Sequence, residues 1–140
     1  MQNWKKLGRI FNANKNHEWM QTHAACPFAY NLKNDLFRIF FSTRSASGFS
    51  HGAWIDIDLN DPKNIKNISP HPLIGPDKPG YFGDAGVMPT HIIKKKGKYL
   101  MYYNGWTLKK TVPFDVYIGL AISKNLNKFK KFSTTPILDR

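Results

Sequence analysis

One stretch of this chain is written twice. Pro27 to Arg44, PFAYNLKNDLFRIFFSTR, aligns without gaps on Pro89 to Trp106, PTHIIKKKGKYLMYYNGW, each residue standing 62 positions from its counterpart. Phe37 falls on Tyr99, Ile39 on Met101, Phe40 on Tyr102 and Phe41 on Tyr103. Beyond the next loop AWIDIDLN, from Ala53, matches VYIGLAIS, from Val116, at a separation of 63, and Pro72-Leu73-Ile74 matches Pro136-Ile137-Leu138 at 64. A drift of one residue per loop is what insertions between strands leave behind. A fixed period means that one supersecondary unit is used twice, each copy with a face that a neighbour must cover.

Each copy contains an apolar run around a proline, a polar turn, a strand rich in aromatics, a loop, a third alternating strand and a short last strand. The turns, Asn34-Asp35 and Lys96-Gly97, use residues that tolerate positive φ, the signature of a tight hairpin. Trp54-Ile55-Asp56-Ile57-Asp58-Leu59 alternates with period two, as a strand with one wet face does. Helical periodicity is weak throughout. Four antiparallel strands in about 60 residues make one blade of a β-propeller. The expectation is an all-β chain of two four-stranded antiparallel blades, an incomplete propeller in a single partial domain over residues 1–140. Residues 1–21 form an N-terminal strand and lead-in, 22–79 the first blade and 80–140 the second. A two-unit β-sandwich accounts for the alternation and the turns, but not for a match along the whole unit.

Hydrophobic residues make up 41% of the chain and aromatic residues 14%, which excludes a disordered chain and suits packed sheets. No window reaches the roughly 18 apolar residues of a membrane span, and MQNWKKLGRIF lacks the apolar centre of a signal peptide, so a cytoplasmic protein with no membrane partner is expected. The single cysteine, Cys26, sits in the apolar run AACPFAY and is expected to be a buried thiol. Lys and Arg total 21 against nine acids, a net charge of +12, which raises nucleic acid as a partner. The lysines gather around turns and edges, at Lys94, Lys95, Lys96 and Lys98, at Lys109 and Lys110, and at Lys124, Lys128, Lys130 and Lys131. No nucleic-acid-binding motif accompanies them, so solvated turns and guarded edges are the reading and no specific nucleic-acid partner is expected.

The succession GRIF, a tryptophan, THAACPFAY, RIFFSTR, GFSHGAWIDID, GYFGDAGVMPTHII, KYLMYYNGW and IGLAIS resembles the five-bladed β-propeller glycosidases related to glycoside hydrolase families 43, 32 and 130. The likeness covers nearly the whole chain, and Gly80 to Thr90 and Lys98 to Trp106 are its most specific stretches. It implies a funnel-shaped sugar pocket on the propeller axis, formed where each innermost strand begins, at Thr22 to Pro27 and Gly83 to Thr90. Asp84 stands where such propellers place an acid facing the reacting sugar. Gly83 occupies the first place of a motif that commonly carries two adjacent acids, a departure that alters role or activity. Gly83 and Gly86, flanking Asp84, are expected to let backbone approach a ligand. A turn-capping aspartate accepting backbone N–H bonds is the competing reading of Asp84.

By the same resemblance His23 faces the pocket, and Arg44 and His51 line its rim. Each also has a plain structural reading: a histidine satisfied by a carbonyl, and loop anchors held by charge-assisted bonds. Trp106, beside Asn104 and Gly105, offers a flat surface for the C–H face of a pyranose or, alternatively, packs between blades. Trp54 and Trp19 read as core or blade contacts.

Cleaving a glycosidic bond ordinarily takes two carboxyl groups. The chain has one glutamate, Glu18, and the aspartates 35, 56, 58, 61, 77, 84, 115 and 139. Asp35 and Asp61 look like turn residues, and Asp56 and Asp58 lie on the polar face of a strand remote from the axis. In the families resembled the general acid comes from a later blade, so these 140 residues are expected to be either an amino-terminal portion of a longer protein or a chain that assembles with others to complete a propeller, inactive alone and open to self-association through uncovered blade faces. Hydrolysis and phosphorolysis stay open. No cluster of oxygen or imidazole ligands argues for a metal, and no cofactor is expected. A non-catalytic carbohydrate-binding or polyanion-binding β-protein is the alternative.

Overall fold

The computed structural model describes residues 3–14 and 16–138, so Asp139 lies outside the described residues. Among them the regular structure is entirely β: β1 Thr22–Lys33, β2 Leu36–Arg44, β3 Ser50–Asp58, β4 Asn67–Ile68, β5 Gly86–Lys95, β6 Lys98–Leu108, β7 Phe114–Ser123 and β8 Lys130–Lys131. The hairpins turn where the sequence places them. Asn34 takes a φ of 50°, and Lys96 and Gly97 take 47° and 73°, the left-handed backbone that a two-residue loop between twisted strands requires.

Strands β1 to β4 form one antiparallel unit and β5 to β8 a second. The two join through one parallel pair, Ser50 with Gly86, so that the order runs β1-β2-β3-β5-β6-β7-β8 with β4 on β3. Gly86 makes this junction possible. Its φ is +150°, and a Cβ there would stand 2.5 Å from the Ser50 nitrogen. The last strand of each unit falls earlier than expected, at Asn67–Ile68 and Lys130–Lys131. Ile74 and Leu138 make only single bridges, to Gly52 and Ile118. Pro72 and Pro136 have no N–H to continue a ladder there.

Register explains the core. Phe40 lies opposite Trp54 and Arg38 opposite Asp56, on one face of the first unit, while Phe41 opposes Ala53 and Ile39 opposes Ile55 on the other. The Phe41 face packs with Ala13 and Met20 of the lead-in, joined by the partly buried Ile10, Phe11 and Trp19. The Phe40 face packs against Val87, Ile92, Met101 and Tyr103 of the second unit. Both faces of the first unit are thus covered. The second unit is covered on its Tyr103 face alone: on the other, Tyr102, Asn104, Trp106, Ile118 and Leu120 are half-buried and Phe114 and Val116 are exposed.

Two sequence expectations change here. The polar position at Asp56 in β3 is not wet, since Asp56 is 3% exposed and pairs with Arg38 across a covered face. Trp54 is core, as expected, with the Arg38 guanidinium 3.4 Å above its ring. Cys26 is exposed rather than buried. It takes a φ of 51° beside a register shift in β1, so the bulge turns its side chain out of the alternation.

Candidate functional site

A single row of paired residues crosses both units. Thr22 pairs with Arg44, Arg44 with Ser50, Ser50 with Gly86, Gly86 with Trp106 and Trp106 with Val116. The candidates read from sequence gather along this row: His23 follows Thr22, His51 follows Ser50, Asp84 stands two residues before Gly86, and Asn104 two before Trp106.

Asp84 sits in the turn that leads into β5. Its Oδ2 accepts the Gly80 N–H at 2.9 Å, and its own N–H donates to the Tyr81 carbonyl at 3.2 Å. Burial works to raise its pKa. Hydrogen bonds from the Thr107 side chain and from the backbone N–H groups of Gly80, Ala85 and Asp84 itself outweigh that and hold the carboxyl below its ordinary 3.8. The turn is therefore capped by this carboxylate, which nevertheless stays half-exposed at a shallow depression of about 270 Å³ lined by Phe49, Pro79, Asp84, Ala85, Thr107 and Leu108. Asp84 is the sole carboxylate among those lining residues. The space beside Gly83 and Gly86 is filled by the protein and not left for a ligand: a Cβ on Gly83 would lie 2.6 Å from Asp77 Oδ2, and one on Gly86 would strike Ser50.

Arg44 and Trp106 meet directly, with the guanidinium 5.4 Å from the indole centroid. With Met88, Phe114 and Val116 they line a second depression of about 140 Å³, and Phe114 packs edge-on to the indole at 6.2 Å. Trp106 and Thr107 are consecutive on β6 and leave opposite faces. The Asp84 and Trp106 depressions therefore flank one edge and are not one pocket. Asn104 shares the Trp106 face, paired between Met88 and Ile118.

The histidines stand apart. His51 is half-buried, its Nδ1 3.2 Å from the Phe49 carbonyl. Burial draws its pKa below 6.5 against the opposing pull of that carbonyl. Its ring lies 6.2 Å from Trp19. His23 is exposed in a bulge with φ 65°, its Nδ1 2.8 Å from Thr22 Oγ1. Sequence reading missed Thr107 and Phe49, which reach Asp84 only through tertiary folding and carry no motif of their own. Among the described residues no three His, Cys, Asp or Glu side chains gather to hold a metal ion, and no helix is long and apolar enough to cross a membrane.

No family model matches the chain. An uncharacterized protein of Mycobacterium tuberculosis, found in the CDC 1551 and H37Rv strains, is 37% identical over 135 residues, covering 96% of this chain and 45% of the relative. Among solved structures, a glycosyl hydrolase from Bacteroides ovatus superposes with a TM-score of 0.65 at 18% identity, over 91% of this chain and 39% of that one. A structure reported for the glycoside hydrolase family 130, in which mannoside phosphorylases are joined by hydrolases that target β-1,2 mannosidic linkages in Candida mannan, gives a TM-score of 0.68 at 16% identity, over 90% and 38%. The chain has a glycosidase-like all-β fold and spans less than half the length of the proteins it matches.

Proposed function

We propose that these residues form the amino-terminal portion of a five-bladed β-propeller protein, of the kind related to glycoside hydrolase families 43, 32 and 130, that acts on a glycosidic bond of a sugar or polysaccharide. Asp84 is its reacting-site carboxylate. The observation that carries this reading is the setting of that group: half-exposed at a depression between the two units and fixed by bonds from Thr107 and Gly80 that favour its ionised form. A carboxylate so held suits the part of base or anionic stabiliser and not that of proton donor. Since glycosidic cleavage ordinarily takes a second carboxyl group and Asp84 is the sole one lining the depression, the proton donor comes from outside the residues that line it. Arg44, Trp106 and Asn104 bind more distant parts of the carbohydrate along the flanking edge, and His51 and His23 border it.

The lone carboxylate also favours a second reading, carbohydrate binding without turnover. Glycan-array screening and calorimetry on the 140-residue chain, alongside assays with aryl glycosides, test both. Sugar binding that Asp84→Asn weakens, with no product released, is the expected result. Robust turnover by this chain alone would remove the need for an outside acid. Tight, steeply salt-dependent DNA binding with no sugar affinity would replace the proposal with polyanion binding.

A further inference from the structure

Lys131 departs from the other lysines. Placed by the sequence among solvated edges, it sits in β8 with its side chain 18% exposed, and its Nζ lies 2.5 Å from Oδ1 of Asp77, itself 14% exposed. Asp77 opens the loop that ends at Gly86. Its N–H donates to the Gly83 carbonyl at 2.9 Å, and the same carbonyl accepts the Gly86 N–H at 3.1 Å. Its carboxylate fills the space that a side chain at Gly83 would take. A second anchor holds the loop from within: Phe82 stacks on Tyr103 with centroids 5.9 Å apart and fits over Gly105, where a Cβ would come within 2.6 Å of its ring. Between these anchors lies the turn whose Gly80 N–H is bonded to Asp84.

We infer that Lys131 is a positioning residue for Asp84: by pairing with Asp77 it clamps the 77–86 loop to the last strand of the second unit and so fixes the direction of the carboxylate. Burial lowers the Lys131 pKa and the Asp77 carboxylate opposes that fall, as expected where an ammonium is retained in a half-dry setting by its partner. Removing either charge strands the other in the interior. The functional meaning of the clamp rests on the reading of Asp84 given above; the clamp itself does not.

The test is amide exchange and carboxyl titration by NMR on the 140-residue chain. In Lys131→Met the Gly80 amide is expected to exchange about tenfold faster, as a locally loosened segment does, and Asp84 to titrate at higher pH, while amides of the first unit such as Ile55 keep their protection. Lys131→Arg, which retains the charge, is expected to restore both readings. Unchanged Gly80 exchange and Asp84 titration in folded Lys131→Met overturns the inference. Should that variant not fold, the double variant D77N/K131M, which leaves no unpaired charge, carries the same readings with the same outcomes. None involves a sugar, so the clamp and the carbohydrate reading can fail separately.

Discussion

Arg38 grips Asp56 through two parallel hydrogen bonds, Nε to Oδ1 at 2.7 Å and Nη2 to Oδ2 at 2.9 Å. The guanidinium also donates to the Leu126 carbonyl at 3.1 Å and to Asn127 Oδ1 at 2.7 Å. One side chain on β2 thus ties its own sheet to the loop after β7 in the other unit. Bidentate pairing is the strong form of this bond, and Lys cannot reproduce it.

Arg38→Ala leaves Asp56 buried with only Asn67 Nδ2 beside it, at 3.2 Å. The loss expected is about 3–5 kcal/mol of unfolding free energy, the cost of stranding one member of a buried pair. Urea unfolding measures it, and a loss below about 1 kcal/mol would show that the pair behaves like one on the surface.

Gly86→Ala strikes the one strand-to-strand pairing between the units. The new methyl meets the Ser50 nitrogen and Cα at 2.5 and 2.8 Å, on a backbone with φ of +150°. A loss of about 1–3 kcal/mol is expected from overpacking, with backbone strain adding to it. Wild-type thermal stability in this variant would mean that the Ser50–Gly86 pair is not needed.

Asp84 sets a pH dependence at the acid end. Its folded pKa is lowered, so its contribution to stability is full above the unfolded value and is lost as pH falls through the folded one. Unfolding free energy followed from pH 6 downward, on the scale of ordinary carboxylate titration, is expected to fall less in Asp84→Asn than in the wild type. Parallel curves for the two would remove the carboxylate from the turn's stability.

His51 acts in the same direction at higher pH. Burial depresses its folded pKa below 6.5, against the Phe49 carbonyl; the unfolded state takes up its proton first, and stability declines as pH drops from that value through the folded one. His51→Gln is expected to flatten this segment of the stability curve. A histidine titration by NMR at or above 6.5 contradicts it.

The uncovered face of the second unit exposes Phe114 at 54% and Val116 at 40%, beside the half-buried Ile118 and Leu120. Apolar surface of this kind promotes association. Sedimentation velocity is expected to show concentration-dependent self-association of the 140-residue chain, reduced in the double variant F114K/V116K. Equal behaviour of the two would place any association elsewhere.

The repeat alone carried the architecture, because hairpin turns and period-two patterning act over a few residues: Asn34 and Lys96 turn where their φ preferences say, and Phe41 and Tyr103 are both buried in matching strands. It misled at Pro72 and Pro136, where likeness of sequence does not supply the missing N–H. Local composition misled at Cys26, which a bulge rotates out of its apolar run.

What sequence determined by itself was the β class, the repeat and its hairpin turns. Tertiary structure alone decided that Arg44 lies over Trp106, that Thr107 and Gly80 bond to the Asp84 carboxylate, and that Asp56 and Lys131 are interior charges rather than solvated ones. The reason is range. Alternation and turn chemistry are local, whereas a side chain's burial and partners depend on which face a distant strand covers.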